Sequence, residues 1–238
     1  MARSARVDKL GTDWASVLMG LGIGLTVALQ LTTMKRADFR DVYQWLDTVG
    51  RICALLGTYF ALVGILFVAR IPWVERGVGH DRLVTWHRKL APYSLFLIGF
   101  HVLLVLIGYA GEEHIALYKE SWKLLTQYPW MWGAFLGFVL MVQAGVTSYK
   151  KARAKLSYES WWLLHTLTYV SVAAAMMHQI SNGPMFLNHP LNKLFWVLLY
   201  VAVAFSIVVW RIGIPLWKSI RHDLKVDRVV VEGPGVIS

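Results

Sequence analysis

The sequence predicts an all-α fold, an integral membrane bundle of six helices with both termini on the cytoplasmic side. Three observations point there. Of 238 residues, 57% are hydrophobic and only 16% charged, where a soluble domain would carry roughly 25% charged residues. The charged residues gather between six stretches that contain no Asp, Glu, Lys or Arg. The basic residues also alternate with those stretches, 17 of the 24 falling on one side. The net charge of +10 is therefore matched to membrane lipid and not to nucleic acid, which would need a far more polar chain.

The uncharged stretches run 14–34, 52–69, 90–111, 124–149, 160–192 and 194–210, and about 20 apolar residues cross a bilayer. Helices are accordingly placed at 14–34, 46–69, 84–110, 130–149, 158–180 and 193–214. The first is a full span with no small-residue cleavage site after a short core, so it is not a signal peptide. The second carries Arg51 just inside its outer end. The third holds His87 and His101, and the fifth holds His165 and His178. A turn at Asn182-Gly183-Pro184 separates the fifth from the sixth. Arg3, Arg6 and Lys9, five basic residues from Arg70 to Lys89, four from Lys150 to Lys155 and five from Arg211 onward share one side. Basic loops stay in the cytoplasm, which places both termini there.

Chemistry rests on the histidines. Cys53 is the single cysteine, so an internal disulfide, a CxxC zinc site, an iron–sulfur cluster and a CxxCH haem attachment are excluded. An ionisable side chain inside a bilayer is expensive and marks function. His87 and His101 are separated by about 21 Å of helix, and His165 and His178 by about 19.5 Å. The third and fifth helices run in the same direction, so the lower histidines are level and so are the upper ones. Facing imidazoles at two depths suit two stacked six-coordinate b-type haems. Hydrogen-bonded core histidines are the plainer account of any one of the four. A histidine-box or carboxylate di-iron site lacks its HxxxH or HxxHH cluster. His80, His114, His189 and His222 fall in loops or tails and are read as solvated.

One feature of the fifth helix conflicts with this arrangement. Fourteen residues bring His101 within about 40° of the azimuth of His87, whereas thirteen leave His178 about 140° from His165. A π-bulge or local unwinding is therefore expected between His165 and His178. A regular helix there would count against the paired-haem arrangement.

These motifs resemble the transmembrane component of the ferric reductase and NADPH oxidase superfamily. The resemblance covers roughly residues 10–220. It rests on His87-x13-His101 and His165-x12-His178, with the contexts Gly79-His80-Asp81-Arg82, Trp86-His87-Arg88-Lys89-Leu90 and Trp161-Trp162-Leu163-Leu164-His165. It implies that His87 and His165 hold an inner haem b and that His101 and His178 hold an outer one, the four histidines being the metal ligands. Electrons would pass from a cytoplasmic NAD(P)H-reduced flavin to an external acceptor, a ferric chelate or molecular oxygen. Arg51, at the level of the outer haem, would hold a propionate or an anionic acceptor. The oxidases carry a further histidine where this chain has Val105, and an aromatic where it has Ser171; Tyr169 or Phe100 is the candidate to stand between the haems instead.

The resemblance divides the chain into a haem-binding membrane domain, 1–218, and a cytoplasmic tail, 219–238. In the tail the run Asp227-Arg228-Val229-Val230-Val231-Glu232-Gly233-Pro234-Gly235-Val236 has β-branched spacing ending in a turn signal. It resembles the first strand of a ferredoxin-reductase-type flavin domain. FAD and NAD(P)H are then expected on a missing domain or on a separate flavin reductase. Arg82, Arg88, Lys89, Lys150, Lys151, Arg153 and Lys155 form a cytoplasmic basic rim suited to propionates, a docked flavin domain or anionic lipid. Glu112, Glu113 and Glu120 make the third-to-fourth loop acidic and suited to drawing in chelated metal. Two other readings stand beside this oxidoreductase. One is a haem-only subunit serving a periplasmic partner such as a methionine sulfoxide reductase. The other is a non-redox transporter or scaffold with structural histidines.

Overall fold

A computed structural model describes residues 2–222, 230–233 and 236–237. Six long helices dominate it: α1 (Ala2–Leu31), α2 (Val42–Phe67), α3 (His80–Glu112), α4 (Met131–Ser148), α5 (Tyr158–Asn182) and α6 (Pro190–Arg221). Two short strands, β1 (Val231–Gly233) and β2 (Val236–Ile237), pair antiparallel in the tail, within the segment expected to open a strand. Residues 227–229, 234 and 235 of that segment lie outside the described ones.

Local chemistry sets where the helices begin. Asp41 caps α2, its Oδ1 accepting from the amides of Tyr43 and Gln44 at 2.8 and 3.0 Å. That cap starts the helix at residue 42 and not at the expected 46. Gly79 has φ +92°, a conformation other residues avoid, and it separates the short helix Pro72–Val78 from α3. Ser157 caps α5 through the amide of Ser160 at 3.1 Å. In α6, residues Ile207–Gly213 widen into a π-helix. Pro215 follows them and removes the amide that the Arg211 carbonyl would otherwise use.

Five helices are long and apolar enough to cross a membrane: Leu10–Leu31 within α1, then α2, α3, α4 and α6. The fifth long helix, α5, spans 25 residues but falls outside that set because of its polar side chains. Most of these are satisfied at once. The Thr168 hydroxyl donates to the His165 carbonyl at 2.7 Å, Ser171 to the Gly137 carbonyl at 2.6 Å, and the Gln179 amide to Thr58 Oγ1 at 2.7 Å.

The helices pack as two antiparallel pairs, α2 with α3 and α4 with α5, and α1 and α6 flank α2. The core lies on α2, where Leu55, Tyr59, Leu62, Val63, Ile65 and Phe67 meet Met185, Phe186, Trp196 and Val203. Half of the apolar window of α2 is buried against 6% of that of α3, so α2 is the hub of the bundle. The histidine-bearing helices α3 and α5 barely touch each other. Large apolar side chains such as Phe96, Leu103, Val139 and Phe205 face outward, as a lipid solvent requires. The chain is a multi-pass membrane protein.

Candidate functional site

The α2–α3 contact repeats every seven residues. His87 Nδ1 donates to the Gly64 carbonyl at 2.8 Å, Ser94 Oγ to the Gly57 carbonyl at 2.7 Å, and His101 Nδ1 to the Gly50 carbonyl at 3.1 Å. Glycine is needed at this surface because the helices approach closely: a Cβ on Gly57 would stand 2.8 Å from Ile98 Cγ1, and one on Gly50 2.8 Å from Val105 Cγ2. A carbonyl only accepts, so both histidines carry their proton on Nδ1. Nε2 is then the basic nitrogen of each ring, the form a metal binds.

On α5, His165 Nδ1 lies 3.2 Å from Ser148 Oγ of α4, which also accepts from Trp161 Nε1 at 3.2 Å. The Trp161 ring stacks on His165 with centroids 5.1 Å apart, and the Arg153 guanidinium sits over the Trp161 ring at 4.8 Å. His178 differs: its Nδ1 is buried with no partner on a neighbouring helix among the described residues, and faces only the Ala175 carbonyl one turn back in its own helix.

Across the space between α3 and α5, the rings of His87 and His165 stand 6.1 Å apart with planes at 87°. Two imidazoles binding one metal from opposite sides, with metal–nitrogen bonds of about 2 Å, would have centroids roughly 6 Å apart. His101 and His178 are electrostatic neighbours at the other level. No group of three or more His, Cys, Asp or Glu is placed to hold a bare ion among the described residues. A pair of axial imidazoles completes a metal only when its other ligands come with it, which is what a porphyrin provides. The residues present thus fit haem, best at the His87–His165 level.

Several expectations need correction. The fifth helix is regular from Tyr158 to Asn182 with no π-bulge or unwinding. Thr166 and Thr168 donate their hydroxyls to carbonyls three and four residues back, and the helix runs on through them without a break. The azimuthal offset therefore stays in the helix, and on the expectation stated above it counts against the paired-haem arrangement. Arg51 is not a free cation: it forms an ion pair with Asp47 and donates to Tyr109 Oη at 3.1 Å. Phe100 is exposed and does not stand between the histidine levels, and Tyr169 packs against the core. Ser171 is spent on the α4–α5 contact, and Val105 packs at Gly50. The acidic loop is largely neutralised, since Glu113 pairs with Lys123 and Glu120 is buried. In the basic rim, Arg82 bonds Thr12, while Arg88 and Lys89 remain exposed. His80, read as solvated, is exposed but paired with Glu75 at 3.0 Å.

Sequence reasoning missed Gly50, Gly57, Gly64 and Ser94. Their signal is a seven-residue repeat of glycines matched by His87, Ser94 and His101 at the same interval. It also missed Asp47, whose signal is its position four residues before Arg51.

The chain is 24% identical over 144 residues to the protein-methionine-sulfoxide reductase heme-binding subunit MsrQ of Caulobacter vibrioides, covering 60% of this chain and 61% of that one. It is 26% identical over 94 residues to the MsrQ subunit of Deinococcus radiodurans, covering 40% and 46%. The chain thus spans less than two thirds of the length of these relatives. No solved structure is a significant match. The model of the ferric reductase like transmembrane component family matches residues 53–176, about half the chain and including His87, His101 and His165, and with the paired histidines between α3 and α5 it places the chain in that family.

Proposed function

We propose that this protein carries electrons across the membrane through two b-type haems, held by His87 with His165 on the cytoplasmic side and by His101 with His178 on the outer side. The observation that carries this reading is the 6.1 Å separation of the His87 and His165 rings across a space between helices. In this reading α5 also crosses the membrane, making six spans, and both termini are cytoplasmic, as the basic residues indicate. The bound haems would supply one-electron redox chemistry. The protein's own task is to hold the imidazoles as neutral ligands, keep them at two depths and exclude water. Gly64 and Gly50 serve the first task by fixing the tautomers of His87 and His101.

The donor is a cytoplasmic reduced flavin, on a domain following residue 218 or on a separate reductase, with NAD(P)H as the source of its electrons. Two acceptor classes remain open, a small oxidant such as a ferric chelate or oxygen, and a partner reductase outside the membrane. The similarity to MsrQ subunits favours the partner, a protein-methionine-sulfoxide reductase. Pairing of Arg51 with Asp47 also argues against a free anion receptor for oxygen-derived species.

The test is an absorption spectrum and haem count of the purified protein. Two haems per chain with a low-spin b-type reduced spectrum are expected, and a colourless preparation refutes the reading. His101→Ala or His178→Ala should remove one haem and leave the other. Loss of the inner haem on His101→Ala would refute the assignment by depth. Reoxidation of the reduced haems by oxygen, ferric chelate or an oxidised partner reductase then separates the acceptors.

A further inference from the structure

Asp47 is a carboxylate only 6% exposed in a helix that packs within the membrane. One of its oxygens pairs with Arg51, and the other, Oδ1, is buried without a hydrogen-bond partner among the described residues. An unpartnered buried carboxylate oxygen is costly as an anion and is poised to take a proton. Where Asp47 lies gives that proton a use. It is three residues outward of Gly50, whose carbonyl holds His101. Its partner Arg51 is an electrostatic neighbour of His101. Its distance from Val42, at the outer start of α2, is about 7 Å along the axis, within reach of external water.

We infer that Asp47 is a proton-loading site coupled to the outer haem, a reading that rests on the proposed haem at His101 and His178. One electron arriving at that level, from the inner haem and ultimately from reduced flavin, converts ferric iron to ferrous. One proton from external water adds to Asp47 Oδ1, forming an O–H bond, so the local charge is unchanged. Electron departure to the acceptor releases the same proton outward. Arg51 is the conduit of the coupling: it holds the carboxylate when the iron is ferric and offers its positive charge to the ferrous site when Asp47 is neutral. The other groups facing Asp47 are few. Tyr109 and Glu112 approach from α3, and Asp38 from the turn before α2. Tyr109 accepts from Arg51 and so orients the guanidinium; it is not the proton acceptor.

Redox titration of the haem-loaded protein in detergent, between about pH 5 and 9, tests this coupling. In the wild type a segment of the outer haem's curve should fall by about 59 mV per pH unit, the equivalent of a tenfold change for a one-electron couple. Asp47→Asn should abolish that slope and leave the inner haem's potential unchanged, and Tyr109→Phe should retain it. A flat wild-type curve overturns the inference, as does a slope that survives in Asp47→Asn, which would assign the proton to a haem propionate. Should Asp47→Asn fail to fold, reduced-minus-oxidised infrared spectra of the wild type decide. A carboxylic acid C=O stretch must appear on reduction, and its absence overturns the inference. Absence of the outer haem from the wild type would instead refute the proposed function itself.

Discussion

The carboxylate of Glu120 lies 1% exposed on the short helix Leu117–Gln127, with Lys123 Nζ 3.7 Å from its Oε2. Burial pushes its carboxyl above the ordinary value near 4.5, and Lys123 opposes this only in part, because it is also engaged by Glu113. A carboxyl raised on folding holds its proton more tightly in the folded state. Stability is thus greatest below the ordinary carboxylate range and falls as pH rises through the raised value. Glu120→Gln removes that loss. Thermal unfolding in detergent should show the variant more stable than the wild type at neutral pH, with the gap closing towards about pH 4. A gap that does not change with pH would show that Glu120 contributes by shape alone. The same residue shows how far composition misleads: counted among exposed loop acids, Glu120 is one of the most buried side chains described.

At the scale of helices, the α2–α3 contact predicts opposite outcomes for two glycines seven residues apart. A Cβ at Gly57 would meet Ile98 at 2.8 Å and its amide nitrogen at 3.2 Å, so Gly57→Ala forces the helices apart. A Cβ at Gly64 meets His87 Nδ1 at 3.6 Å, an ordinary contact. Gly57→Ala should destabilise the protein by about 1–3 kcal/mol and lower its haem content, though it holds no ligand. Gly64→Ala should keep both haems and gain up to about 1 kcal/mol of helix propensity. Thermal denaturation with haem quantification checks both. The seven-residue interval was legible in advance, since Gly50, Gly57 and Gly64 mirror His101, Ser94 and His87. It passed unnoticed because a glycine announces no chemistry until its neighbour is known. The regularity of α5 was not legible: azimuth arithmetic follows Cα positions, whereas imidazoles reach their partners through side chains held by Ser148 and by packing.

For the whole molecule, the charge-free stretches located all six long helices, and their apolar faces turned outward as a bilayer demands. The starts of α2 and α3 were placed four residues late, because Asp41 and Gly79 act through backbone geometry that hydropathy does not register. Asp47 lay inside the helix expected at 46–69, but its pairing with Arg51 depends on side-chain geometry that segmentation by charge does not register. The alternation of basic residues predicts the orientation, which reporters fused to each terminus can measure. Fusions active only in the cytoplasm should be active at both ends, and activity at one end alone would require an odd number of crossings. The family match shows the bundle to be a ferric reductase like transmembrane component.

The three bonds between α2 and α3 also bear on biogenesis. A slip of one residue, about 1.5 Å along the axis, would break all three together. All three bonds lie within α2 and α3, so this hairpin can set its own register as soon as α3 enters the bilayer. It would then present the imidazoles of His87 and His101, tautomers already set, as a finished edge. The later hairpin closes against that edge as a clasp. That edge would be a template made early in synthesis and the later hairpin a cover made late, whose His178 has no hydrogen bond to a neighbouring helix among the described residues.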